Sequence, residues 1–162
     1  MAAMGLDKDI LIDILKNLNF FSELNFGPVK ELSYLFSERV FQGGETIFEE
    51  NEPGNSLLVI LSGEVRITQR ADVSGEETLT VLKKGDFFGE MALLEDLPRS
   101  ATAIAHSDTF IMEISRERFM RFVEKDPASG VKILITLARS LSARLREADN
   151  KIKAYVNLSQ WI

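Results

Sequence analysis

Gly85-Asp86-Phe87-Phe88-Gly89-Glu90-Met91-Ala92-Leu93-Leu94-Glu95-Asp96-Leu97-Pro98-Arg99-Ser100-Ala101-Thr102-Ala103 is where the chemistry of this chain is concentrated. A glycine followed by an acid opens a short apolar helical turn at 90–94, a loop with a proline follows, and an arginine stands at the mouth of a strand. The first N–H groups of a helical turn, here those of Met91 and Ala92, have no partner within the turn and favour an anion. Arg99 brings a planar guanidinium able to grip a phosphate with two donors. Glu90 only accepts when ionised, which suits a hydroxyl donor such as a ribose 2′-OH. One arginine with a few amides matches the single negative charge of a cyclic phosphodiester. A triphosphate calls instead for a Gly-x4-Gly-Lys-Ser/Thr loop and magnesium ligands, and the sequence has neither.

On both sides of this stretch the glycines mark out short strands. Seven of the ten fall between Gly43 and Gly89, with alternating apolar runs between them, the pattern of a compact β-unit. The expected strands are 38–42, 46–50, 56–61, 64–70, 76–83, 100–105 and 108–114. Residues 72–75 form the hairpin turn between two of them, with Val65 and Ile67 facing inward on one strand and Leu79 and Val81 on the other. Val40-x3-Gly44-Glu45 is echoed by Val81-x3-Gly85-Asp86, read as two similar hairpin corners.

The ends of the chain follow a helical period. Leu6, Ile10, Leu11, Ile14, Leu15 and Leu18 recur at helical spacing around Asp7, a candidate N-cap. A second helix is expected to start at Pro28 and to turn Val29, Leu32, Leu35 and Phe36 inward. A third covers 116–123 and stops at Asp126-Pro127. From Ala128 on, Val131, Leu134, Ala138, Leu141, Leu145, Ala148, Ile152 and Tyr155 step by three and four, a heptad seam. Ile133, Ile135 and Leu137 widen its apolar face in the first half only. Such a helix packs on its own β-unit early and against a second copy later, as a parallel homodimer through 131–155 in which Arg144 and Asp149 flank the seam.

Composition excludes much. The 162 residues carry a net charge of −6, no cysteine and one histidine, His106. Disulfides, zinc ribbons, iron–sulfur clusters and thiol nucleophiles are ruled out, and a multi-histidine metal site or Ser-His-Asp triad has too few parts. An acidic chain lacks the cationic surface that duplex nucleic acid requires. No apolar run reaches the roughly 18 residues of a membrane span, and the first ten lack the order of a signal peptide. A cytoplasmic domain with no catalytic group and no metal is expected.

The run Phe88-Gly89-Glu90-Met91-Ala92-Leu93-Leu94, followed by Pro98-Arg99-Ser100-Ala101-Thr102-Ala103, resembles the phosphate-binding cassette of the cyclic-nucleotide-binding domains. That family includes bacterial catabolite activator proteins, protein kinase A regulatory subunits and cyclic-nucleotide-gated channels. The resemblance covers about 20–155, with the corners Gly44-Glu45-x-Ile47, Gly54 and Gly63-Glu64-Val65. It implies an α+β fold: an antiparallel β-jelly roll with an internal phosphate-binding helical turn, N-terminal helices and a long C-terminal dimerisation helix. One domain is expected over 1–162, divided into N-terminal helices (1–37), the β-roll (38–114, cassette 88–103) and C-terminal helices (115–162). The resemblance also implies that Glu90 holds the ribose 2′-hydroxyl and Arg99 the phosphate. Phe88, Gly89, Met91 and Ala92 then frame the ligand, Ser100 touches phosphate, and Ile67 and Leu79 wall the ring system. Ser100 stands where guanine-preferring members carry threonine, so cAMP is expected ahead of cGMP.

Two departures from the activators stand out. Where they set two hydroxyl residues of the long helix against the base, this sequence aligns Arg144 and Leu145. Arg144 either lids the base by cation–π contact or pairs with Asp149 of the second copy. Ending at Ile162, the sequence also leaves no room for a winged helix-turn-helix, so nucleic-acid binding is not expected of it. The implied function is a regulatory sensor that signals through ligand-coupled movement of its last helix. The alternatives are a nucleotide-independent interaction domain of the same fold, or the sensor fragment of a longer transcription regulator. The downstream effector is not legible.

Overall fold

A computed structural model of the chain describes residues 7–71 and 75–159. Its eight strands are β1 (Ser37–Phe41), β2 (Thr46–Phe48), β3 (Ser56–Ser62), β4 (Glu64–Ala71), β5 (Gly75–Lys83), β6 (Phe87–Phe88), β7 (Thr102–Ala105) and β8 (Thr109–Ser115). They form two four-stranded antiparallel sheets, β1-β8-β3-β6 and β2-β7-β4-β5, in a jelly-roll arrangement. The helices are α1 (Lys8–Lys16), α2 (Phe26–Leu35), α3 (Met91–Leu94), α4 (Arg116–Lys125) and α5 (Pro127–Ser159), with a 3₁₀ turn at Asn19–Phe21.

Strand β3 reads Ser-Leu-Leu-Val-Ile-Leu-Ser because both its faces are covered. Leu57, Val59 and Leu61 join Met112 and Ile114 of β8 under the helices, in a cluster with Leu11, Phe21, Leu32, Phe119 and Ile133. Leu58 and Ile60 point the other way, between the sheets, with Phe41, Val65, Phe88 and Ile111. Period-two alternation sends neighbouring residues to different cores. The corner echo is two matching turns: Gly44 and Gly85 have φ of 90° and 92°. In each, the following carboxylate accepts a backbone N–H three residues back, Gln42 to Glu45 and Lys83 to Asp86.

Several expectations are corrected. Helix α2 begins at Phe26, so Pro28 sits in its third position. On α1, capped by Asp7 as expected, Ile12 is buried and Ile10 exposed; Leu6 lies outside the described residues. Leu79 and Val81 do not face the core. Leu82 is the β5 residue opposite buried Val65, which turns Val81 to the other face, opposite Arg66. The register then shifts between Ile67 and Thr68, leaving Leu79 as an extra residue without a register partner. The two-residue strand β6 was not anticipated. The 72–75 turn falls largely on residues 72–74, outside the described residues.

Helix α5 divides in two. Ile133 and Leu137 are buried in the helical core, and Lys132 and Arg139 hold Glu23. Farther along, Leu145, Ile152 and Tyr155 are exposed, Tyr155 at 74%.

Candidate functional site

The loop after β6 turns at Gly89, whose φ of 75° is strained for any other residue. That turn delivers Glu90 to the head of α3 and leaves Ala92 and Leu93 packed inward. The four-residue α3 is tighter than expected. Its Ala92 N–H donates to the Gly89 carbonyl at 3.1 Å, so the Ala92 amide is not an open anion donor in this structure.

Beside this loop lies a cavity of about 660 Å³. Phe88, Gly89, Glu90, Met91, Ala92, Arg99, Ser100, Ile67, Leu79 and Arg144, the ten residues singled out from the sequence, all line it. Glu90 and Arg99 are both nine-tenths buried. Ile67 is half-buried, while Leu79 and Met91 are exposed toward the opening. Ser100 is exposed too, with its hydroxyl 3.6 Å from the Met91 sulfur.

Arg99 is held on several sides. Its Nη1 donates to the Ser56 and Gly89 carbonyls at 3.0 and 3.3 Å, and Nη2 to the Ser56 hydroxyl at 2.9 Å. The Phe48 ring lies 4.2 Å from the guanidinium carbon. Gly54 and Gly89 are packed so closely that a Cβ on either would come within 2.6 Å of the arginine. Burial pulls Arg99 below its ordinary pKa, and Glu113, Glu52 and Glu90 act against that shift. Its Nε is buried without a hydrogen-bond partner. A buried cation with a donor still unmet is suited to an anion.

Arg144 reaches from α5 to Glu90. Its Nη1 lies 3.2 Å from Glu90 Oε1, Nη2 donates to the Phe87 carbonyl, and its guanidinium carbon is 5.0 Å from the centre of the Phe87 ring. This pairing with Glu90 was not among the arrangements expected from the sequence. Oε2 of Glu90 remains to accept a ligand hydroxyl. Leu145 is 63% exposed and outside the cavity, while Glu147, Ala148 and Lys151 line it. Of the two aligned positions Arg144 alone reaches the cavity of this chain, because adjacent helical residues point about 100° apart.

Sequence reasoning missed Phe48, Ser56 and Glu113. The signal for the last two was a serine opening an apolar strand and a lone glutamate inside Phe110-Ile111-Met112-Glu113-Ile114, since polar groups in buried strands need partners. Among the described residues, no group of three or more His, Asp or Glu side chains could hold a metal ion, and no helix is long and apolar enough to cross a membrane.

The family described as "Cyclic nucleotide-binding domain" matches residues 38–126. The chain is 39% identical over 119 residues to the cyclic AMP receptor protein of Thermus thermophilus, covering 73% of this chain and 52% of that protein. It is 35% identical to the cAMP-dependent protein kinase regulatory subunit of Hypocrea atroviridis, over 74% of this chain and 24% of that one. It thus spans about half of one relative and a quarter of the other. Among solved structures, a cyclic nucleotide-binding domain from Methylobacillus flagellatus superposes with a TM-score of 0.79 at 28% identity, covering 90% of this chain and 82% of that one.

Proposed function

This chain belongs to the cyclic nucleotide-binding domain family, whose modules are regulatory and not catalytic, and on that footing we propose that it is a cAMP sensor. The observation that carries the reading is the convergence on one cavity of a buried arginine, a buried carboxylate and apolar walls. Arg99 takes the cyclic phosphate and Glu90 the ribose hydroxyl. Ile67 and Leu79 cover the ring system, and Phe88, Gly89, Met91, Ala92 and Ser100 frame the ligand. cAMP is favoured over cGMP by Ser100 and by the relatives named for cAMP. The nucleotide is bound and released unchanged.

Arg144 supplies the route out of the site. It ties α5 to Glu90, so a ribose hydroxyl arriving at Glu90 must share the carboxylate with α5. The signal is a movement of α5. The seam of Leu145, Ile152 and Tyr155, exposed on this chain, pairs with a second copy.

Calorimetric titration of the whole chain with cAMP and cGMP tests the reading. Binding of cAMP with a lower Kd than cGMP is expected, and the reverse order overturns the base preference. Binding of neither nucleotide leaves the interaction-domain alternative.

A further inference from the structure

Strands β3 and β8 pair with Leu58 opposite Glu113 and Ser56 opposite Ser115, which makes Ser56 and Glu113 diagonal neighbours on one face. That face is otherwise built of Leu58, Ile60 and Ile111. Polar groups at its end need partners, and Ser56 is only 3% exposed. The Ser56 hydroxyl donates to Glu113 Oε1 at 2.6 Å. Its single hydrogen is spent there, so its lone pairs are left for Arg99 Nη2 at 2.9 Å. The second oxygen of Glu113 meets Arg39 at 2.8 Å. A relay thus runs from half-exposed Arg39 through Glu113 and Ser56 to the buried Arg99.

We propose that Ser56 and Glu113 are positioning residues for the anion grip, with Glu113 locking the Ser56 hydroxyl as the acceptor that aims the Arg99 guanidinium into the cavity. This rests on the reading of Arg99 as the phosphate-binding group. An arginine tip carries large rotamer entropy, and bonds formed before the ligand arrives remove that cost from the binding step. A bare carboxylate behind Arg99 competes with the ligand for the guanidinium. Glu113 shares its charge between Arg39 and the Ser56 hydroxyl, so its hold on Arg99 is exerted through Ser56.

The test is the Kd for cAMP, or for cGMP if the parent prefers it, in the full chain and in Ser56→Ala, Glu113→Gln and the double variant. Ser56→Ala should weaken binding about ten- to thirtyfold. Glu113→Gln removes a negative charge near an anion site, so a purely electrostatic role predicts tighter binding. Positioning predicts binding weaker by about threefold or more. Because Glu113 acts through Ser56, the double variant should lose no more than Ser56→Ala alone. Unchanged affinity in Ser56→Ala, tighter binding in Glu113→Gln, or additive losses would each overturn the proposal. Should Ser56→Ala fail to fold by circular dichroism, the sign of the Glu113→Gln effect decides. A parent that binds neither nucleotide overturns the phosphate reading itself, and with it this one, before any variant is made.

Discussion

Replacing Gly54 by alanine probes the site with one methyl group. That methyl would sit 2.5 Å from Arg99 Nε, 2.7 Å from Cδ and 2.8 Å from Cζ. Ordinary contact is about 3.5 Å, so the arginine must move by roughly 1 Å. Its other flanks are closed by the Gly89 backbone and by the Phe48 ring, 4.2 Å away. It can yield only toward the cavity, which stretches the bonds of 3.0 and 2.9 Å to Ser56. Each bond from a charged group contributes about 1.5–3 kcal/mol, and water recovers part of the loss. The phosphate then meets a misplaced guanidinium, at a net cost of about 2–3 kcal/mol, or roughly 30- to 150-fold in Kd. Gly27→Ala is the matched control. Apart from its chain neighbours, nothing lies within 4 Å of its added methyl, Gly27 is not among the residues lining the cavity, and no change in affinity is expected. Calorimetric titration with cAMP of parent and both variants reads the difference. If Gly54→Ala binds within about threefold of the parent, the packing of Arg99 is not what sets the affinity.

Arg99→Ala should cost about 2–5 kcal/mol of cAMP binding and Glu90→Ala about 1.5–3, the lesser loss because a ribose hydroxyl is neutral; equal affinity in Arg99→Ala and parent would show the grip misassigned. Ligand at 100 times its Kd should add about 2.7 kcal/mol to stability, seen as a Tm several degrees higher in thermal melts. Chromatography after long incubation should return the nucleotide intact, and linear monophosphate formed in proportion to protein would point to catalysis. Leu145→Glu sets like charges face to face on the exposed seam and should turn a dimer into a monomer in sedimentation velocity; a parent that is monomeric at every concentration, with and without cAMP, removes the dimer. Asp126 accepts the Ser129 N–H at 3.1 Å at the head of α5, and its bonds with Ser129 lower its pKa below the ordinary 3.8. Its contribution to stability is therefore present above pH 3.8 and lost as pH falls through the lower folded value, and Asp126→Ala should remove that part of the acid dependence of thermal melts.

The strands were legible because their signals are local. Glycine corners and period-two alternation located all seven expected strands to within two residues at each end. Alternation gave the wrong face at Leu79 and Val81, since the pattern does not say whether Val81 or Leu82 is the inward residue and only the register with β4 puts Leu82 opposite Val65. Strand β6 was missed because two residues are too few to display a period. On α5 the heptad spacing was plain, yet spacing alone does not say which apolar residues meet this chain and which stay open. Ile133 and Leu137 lie under the N-terminal helical segment and Leu145 does not, a difference made by where that segment docks.

By itself the sequence determined the order of the helices and of every strand but β6, the two glycine-led corners, and the cassette in which Glu90 and Arg99 stand nine positions apart. Those features depend on backbone conformation and residue type over short spans, which a single chain spells out directly. Only the tertiary structure decided that Arg144 meets Glu90 across 54 positions, and that Ser56 and Glu113 stand behind Arg99. Such contacts depend on strand register and on the rotation of α5, set by the packing of both cores together. A one-residue slip of β3 would turn Ser56 away from Arg99 while leaving every local signal in the sequence unchanged.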